Sequence, residues 1–238
     1  MDAGSIARGV AIYALPVMAA IICHEVAHGW VAEKCGDSTA RRAGRITLNP
    51  ISHIDPIGTV ILPLILIATG SNFLFGWAKP VPVNFFNLRK IRRDSILVAL
   101  SGPGTNFALA LLSAVVLRLI LLVDPMLFEY ANSDMASSQL REVGMAASLL
   151  VPMVMMLNAS IMINCVLMTL NLIPIPPLDG GRILNGLLPD NLSASYEKLE
   201  PFGMFIVVLL IYAVPATQSI FYAFIRMFIL LFYGIALF

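Results

Sequence analysis

The sequence predicts an all-α polytopic membrane protein with about five to six transmembrane or re-entrant helices and one short membrane-associated β element. Three observations predict it. Hydrophobic residues make up 59% of the 238 residues and charged residues only 12%, about half the charged fraction of a soluble domain. Mean hydropathy is +0.88. Apolar runs near the roughly 20 residues that a bilayer-crossing helix needs recur along the chain between short polar loops. Little mass is left for a separate soluble domain. The chain therefore reads as a single domain, 1–238, with a core over about 6–190 and two extra C-terminal helices within 202–238.

The elements follow in order. A first span covers about Ile6 to Lys34, with no cleavage site of a signal peptide along it. Residues 42–50 alternate in polarity and read as a short strand ending at Pro50. Residues 57–68 are apolar but too few to cross comfortably. Re-entry suits them better than a crossing. Residues 75–84 read as extended, because Pro80 and Pro82 forbid a helix interior. A second full span runs from Asp94 to Val123, interrupted early at 101–106, and an acidic polar loop covers 124–142. The third span, Val143 to Leu172, carries Asn158 and Asn164, residue types that bond between membrane helices. A short amphipathic stretch then reaches Glu200, and apolar segments 202–216 and 219–238 close the chain.

Basic residues cluster at 34–45 and 89–93 while 124–142 is acidic. Lysine and arginine in short loops mark the cytoplasmic side, so both basic clusters are expected there. Net charge is +1, and no basic aromatic patch suggests nucleic acid. The three cysteines, Cys23, Cys35 and Cys165, are odd in number and lack CxxC spacing, against a disulfide framework.

The chemistry centres on His24-Glu25-Val26-Ala27-His28, inside the first span. Imidazoles at i and i+4 lie one turn apart on one helix face and can share a zinc ion. The glutamate between them can take a proton from a water the metal activates. Ionisable groups are costly at that depth, so they should face a wet, protein-lined cavity. A proton or ion pathway would also place His and Glu there, so a third ligand is needed. Asp179 lies between a proline-rich break and Gly180-Gly181. Its position suits either a carboxylate ligand beside a catalytic water or the cap of the helix that follows. On the expected topology it falls on the same side as the histidines.

His24-Glu25-xx-His28, then Ser101-Gly102-Pro103-xx-Asn106, then Asn171-Leu172-Ile173-Pro174-xx-Pro177-Leu178-Asp179-Gly180-Gly181-Arg182 resemble, in order and over most of the chain, the site-2 protease family of intramembrane zinc metalloproteases. The subgroup resembled is the minimal one without PDZ or CBS domains. The resemblance implies one zinc per chain held by His24, His28 and Asp179, with Glu25 as general base. It implies that Asn106 and Asn171 hold substrate or polarise its carbonyl. It also implies a hairpin-like element beside the site that binds an unwound client by strand addition. The candidates for that element are 45–48 and 77–83, with Val81 and Val83 as contacts. The expected activity is hydrolysis of peptide bonds in or near transmembrane segments of membrane-protein substrates. The expected setting is multi-pass in the cell membrane, with the active site nearer the cytoplasmic face. The oligomeric state stays open.

Two rivals are weighed against this. A metal transporter would spread ligands and acids over several helices, and only one HExxH and one Leu-Asp-Gly occur. An idle adaptor has no reason to keep Glu25 between two ligands. Of the remaining polar residues, His53 is expected to fix its loop by hydrogen bonding. Trp30 and Trp77 are expected to anchor at the interface. Arg118 is placed to snorkel, and Arg226 to pair with a carbonyl or acid the sequence does not identify.

Overall fold

The computed structural model describes residues 3–69, 76–133 and 144–238. Every regular element among them is helical. Helix α1 is Ala3–Lys34 and the short α2 is Thr39–Arg42. A 3-10 turn at Pro50–His53 and a π-helical turn at Pro56–Ile61 lead into α3, Leu62–Ala68. Asn49 and Asp55 start these two turns by accepting the backbone N–H groups of Ile51 and of Ile57 and Gly58. Helix α4 is Ile91–Leu121, α5 is Met126–Asn132 and α6 is Met145–Asn171. Then come α7, Asp179–Leu187; α8, Asp190–Glu197; α9, Glu200–Ala213; and α10, Pro215–Leu237.

Four helices, α1, α4, α6 and α10, are long and apolar enough to cross a membrane. Helix α9 and the stretch Pro56–Leu66 are apolar but shorter. Helix α4 lies at the centre, packed on α1, α6, α7 and α10. Ala20, Ala110 and Ala114 are fully buried where these helices meet, as expected where small residues let backbones approach. Leu117, Val151, Val154, Ile161 and Phe232 fill the centre. Large side chains such as Leu15, Leu112, Leu149, Phe224 and Leu230 point outward and are exposed. That outward apolar surface suits lipid rather than water.

The corner after α1 is built by one carboxylate. Gly36 takes the left-handed conformation, φ 117°, as the chain leaves the helix. Asp37, buried, accepts the Thr39 amide and hydroxyl, the Asn84 amide at 2.7 Å and the Asn87 side-chain amide at 2.9 Å. Burial pushes this carboxyl up. The bonds from Thr39, Asn87 and Asn84 outweigh it and hold Asp37 below the usual carboxylate range. Asp37 thus ties the end of α1 to the segment entering α4.

The structure corrects several expectations. No strand forms among the described residues: Arg42 ends α2, 43–49 is turn, bend and irregular chain up to the 3-10 turn at Pro50, and 76–84 is extended but unpaired by any strand. Its backbone groups go to side chains and loops instead. The Trp77 amide bonds Gly58 O, the Lys79 amide bonds His53 O at 2.9 Å, and Arg45 Nη2 donates to Lys79 O at 2.6 Å. Residues 101–106 do not interrupt α4, which runs through Pro103. Packing against neighbouring helices tolerates such a proline. The acidic loop contains α5, and its residues 134–143, like Phe75, lie outside the described residues. Arg226 is exposed on α10, with no ion pair or hydrogen bond to a described residue, rather than paired at depth. His53 does fix its loop: buried, it donates from Nε2 to Thr47 O at 2.9 Å. Asn158 and Asn164 do bond across helices, to Tyr233 and Asn106.

Candidate metal centre

Helices α1, α4 and α7 bring three ligand-type side chains together. His24 and His28 face α4 from one side of α1, and their Nε2 atoms are 3.0 Å apart. Asp179, the first residue of α7, places Oδ2 at 3.2 Å from His24 Nε2 and 3.4 Å from His28 Nε2. Among the described residues this is the one His/Cys/Asp/Glu group arranged to hold a metal ion.

The tautomers follow from the opposite ring edges. His28 Nδ1 sits 2.7 Å from Val98 O, which can only accept, so Nδ1 carries the proton. His24 Nδ1 sits 2.6 Å from Asn106 Oδ1. The Asn106 amide is oriented by its other end, since Nδ2 donates to Ala20 O and to Asn164 Oδ1 at 2.8 Å. His24 Nδ1 therefore also carries its proton. Both Nε2 lone pairs then point at one another and at Asp179 Oδ2, which is buried and receives no hydrogen bond.

Three electron pairs converging with no protein donor between them form an arrangement that a bound cation would satisfy. The spacing fits one. Tetrahedral bonds of about 2.0–2.1 Å set ligand atoms roughly 3.3 Å apart, against the observed 3.0, 3.2 and 3.4 Å. Two neutral imidazoles and a carboxylate are a zinc donor set. Gly102 of α4 supplies the room: a Cβ there would lie 2.5 Å from His28 Nε2 and from His24 Cε1.

The other expected site residues fall as follows. Glu25, half-buried, accepts the Val81 amide on Oε2 at 2.7 Å. Asn106 is fully buried behind His24 with its amide spent, which suits orienting a ligand rather than meeting a client. Asn171 donates to Leu167 O in its own helix, and no hydrogen bond joins it to the three ligands. Val83 packs beside Ala32, Leu88 and Val98. Since Pro80 and Pro82 have no N–H and Val81 gives its own to Glu25, residues 80–82 have no backbone donor left for a client strand. Gly102 and Asn106 show in the sequence only within the Ser-Gly-Pro-xx-Asn pattern, and Asn164 only as a residue type that bonds between helices. The Val98 carbonyl and the continuation from Asn164 to Ser160 and Ser113 have no sequence signal.

Two histidines with a glutamate between them on a bilayer-crossing helix, joined by a carboxylate from α7 in a zinc-type donor set, point to a membrane-embedded metalloprotease. Residues 12–214 match the model of peptidase family M50. The candidate zinc metalloprotease YwhC of Bacillus subtilis is 38% identical over 81% of this chain and 75% of its own length. Two candidate zinc metalloproteases named Rip2 are also similar. That of Mycobacterium tuberculosis is 27% identical over 86% of this chain and 68% of its own. That of Mycolicibacterium smegmatis is 26% identical over 79% and 61%. No solved structure matches. The chain belongs to peptidase family M50, the site-2 protease family of zinc metalloproteases.

Proposed function

We propose that this protein hydrolyses peptide bonds in or near transmembrane segments of membrane-protein substrates. The observation that carries this reading is the convergence of His24 Nε2, His28 Nε2 and Asp179 Oδ2 between membrane helices, with Glu25 beside them. His24, His28 and Asp179 would hold one zinc per chain. When bound, zinc supplies a Lewis acid that polarises a carbonyl and acidifies water. Glu25 takes the proton of the attacking water and returns it to the leaving amide nitrogen. Asn106 and the Val98 carbonyl keep both rings in the tautomer that leaves Nε2 unprotonated. The client helix must unwind first, because its own hydrogen bonds shield the scissile carbonyl.

Metal analysis of the purified protein should find about one zinc per chain. His24→Ala, His28→Ala or Asp179→Ala should lower it sharply, each removing one of three protein ligands. Asn106→Leu should weaken zinc by about 10- to 100-fold, the usual cost of losing a partner behind a ligand. Full zinc retention in Asp179→Ala would remove that residue from the ligand set.

The active site then lies towards the cytoplasmic side of the cell membrane, with 57–68 entering and leaving on that side. The basic residues at 41–45 and 89–93 support this orientation. Single cysteines at positions 42 and 90 should react with an impermeant maleimide only after the cytoplasmic face is opened. Labelling of position 90 from intact cells would make 57–68 a crossing.

A further inference from the structure

Glu25 is held by a segment 56 residues away in sequence, through a single backbone hydrogen bond of 2.7 Å from Val81 N to Oε2. The sequence around that donor is unusual. Pro80 and Pro82 flank Val81, and proline has no N–H, so residues 80–82 own one backbone donor and it goes to this carboxylate. Lys79 and Pro80 are exposed, whereas Val81 is buried. Its side chain rests against α1 at Gly29, one turn beyond Glu25, where an added Cβ would lie 2.9 Å from Val81 Cγ1. The segment is fastened on both sides of this point. Upstream, the Lys79 amide bonds His53 O and Arg45 bonds Lys79 O. Downstream, the Asn84 amide bonds Asp37. The donor is thus carried by a fixed scaffold.

We propose that Val81 is a positioning residue for Glu25, acting through its backbone N–H; the proposal rests on the reading of Glu25 as the base. A glutamate side chain has three rotatable bonds and, unanchored, would spread over several rotamers. Tying Oε2 to a fixed donor selects one. It also satisfies one oxygen of a charge that is costly to leave unpaired away from water. Oε1, which accepts from no described residue, is left to take the proton. Preorganisation of this kind costs nothing at the moment of reaction. The prolines then have a use: they keep the segment extended and remove every competing donor on either side of Val81.

The test uses the full-length protein and two measurements. The first needs no substrate. Labelling with 13C-carbonyl proline and 15N-valine selects the three Pro–Val steps, Pro16–Val17, Pro80–Val81 and Pro82–Val83. Val81→Ala identifies the middle one by deleting its signal. The Val81 amide proton should resonate downfield of the other two, as a donor to a carboxylate does, and move upfield in Glu25→Gln. An amide indifferent to Glu25→Gln overturns the proposal. The second measurement is steady-state cleavage of a single-span reporter protein with an Asn-Gly-Pro break in its transmembrane helix. Val81→Pro removes the N–H and should lower kcat by about 10- to 100-fold, the cost of misplacing a reacting group by about 1 Å. KM and zinc content should stay near wild type. Val81→Ala keeps the N–H and should retain most of the turnover. Equal turnover in the two variants overturns the proposal. So does a Val81→Pro protein faster than wild type, because the contact would then be a block. Glu25→Gln, run alongside, separates the two failures. If it still cuts the reporter, the functional reading falls whatever the Val81 variants do. If it is inactive beside a fully active Val81→Pro, only the positioning role falls.

Discussion

Glu25→Gln should bind zinc as the wild-type protein does and lose at least about 100-fold in turnover, towards the 10⁴-fold that removal of a general base can cost. Glutamine has nearly the shape of glutamate, and its carbonyl oxygen can still accept the Val81 amide that Oε2 accepts here. The three ligand atoms belong to other residues, and their far edges are fixed by Val98 O and Asn106. Nothing that holds the metal is therefore disturbed. What is lost is a group that can accept a proton, since a side-chain amide has no useful basicity near neutral pH. The measurement is zinc stoichiometry by elemental analysis beside cleavage of the single-span reporter. Substantial residual cleavage would defeat the general-base assignment. Loss of zinc would mean that Glu25 contributes to metal binding in a way its hydrogen bonding does not suggest.

The fold and the site were unequally legible in the sequence, for physical reasons. Four long helices announce themselves, because a bilayer demands long apolar runs and α1, α4, α6 and α10 are such runs. The candidate histidine pair is legible because i, i+4 spacing on a helix is a local property. Asp179 was left between ligand and cap by its own surroundings, and the distances of 3.2 and 3.4 Å to the histidines carry it towards the first. What stayed hidden was nonlocal. Residues 45–48 and 77–83 have the composition of strands, yet strands exist only by pairing. Here Arg45, His53, Glu25 and Asp37 take the bonds that a ladder would need. A proline inside Ile91–Leu121 read as a break, because tolerance of proline depends on neighbouring helices that a linear reading does not contain. The resemblance implies a client-facing role for Asn106, whereas in the fold its amide oxygen faces His24, an orientation set by Ala20 O and Asn164 on two other helices.

Gly102→Ala should strip the metal and the activity while leaving the helices standing. The new methyl would lie 2.5 Å from His28 Nε2 and His24 Cε1 and 2.6 Å from His24 Nε2, where ordinary contacts begin near 3.4 Å. The rings must therefore yield by nearly 1 Å at the atoms that meet the ion. They cannot retreat freely, since His28 is bonded to Val98 O on α4 and His24 to Asn106 on the same helix. Moving either ring breaks one of those bonds or pulls Nε2 away from Asp179. Helix α4 itself is not harmed, because alanine in a helix interior is favoured over glycine by about 1 kcal/mol. Zinc affinity, measured by chelator competition, should fall by more than the about 100-fold at the upper end for losing an outer partner. The metal-free protein should stay folded with its melting temperature unchanged or a few degrees lower, because the gain of about 1 kcal/mol in helix propensity offsets only part of an overpacking cost of roughly 1–3 kcal/mol. Gly104 is the control two residues on: a Cβ there meets nothing within 4 Å, so Gly104→Ala should leave zinc and turnover near wild type. A Gly102→Ala protein that still carries one zinc per chain and cuts the reporter would show that the rings can be displaced without cost. The tight seat of His24 and His28 against α4 would then no longer explain why this helix has no side chain at that position.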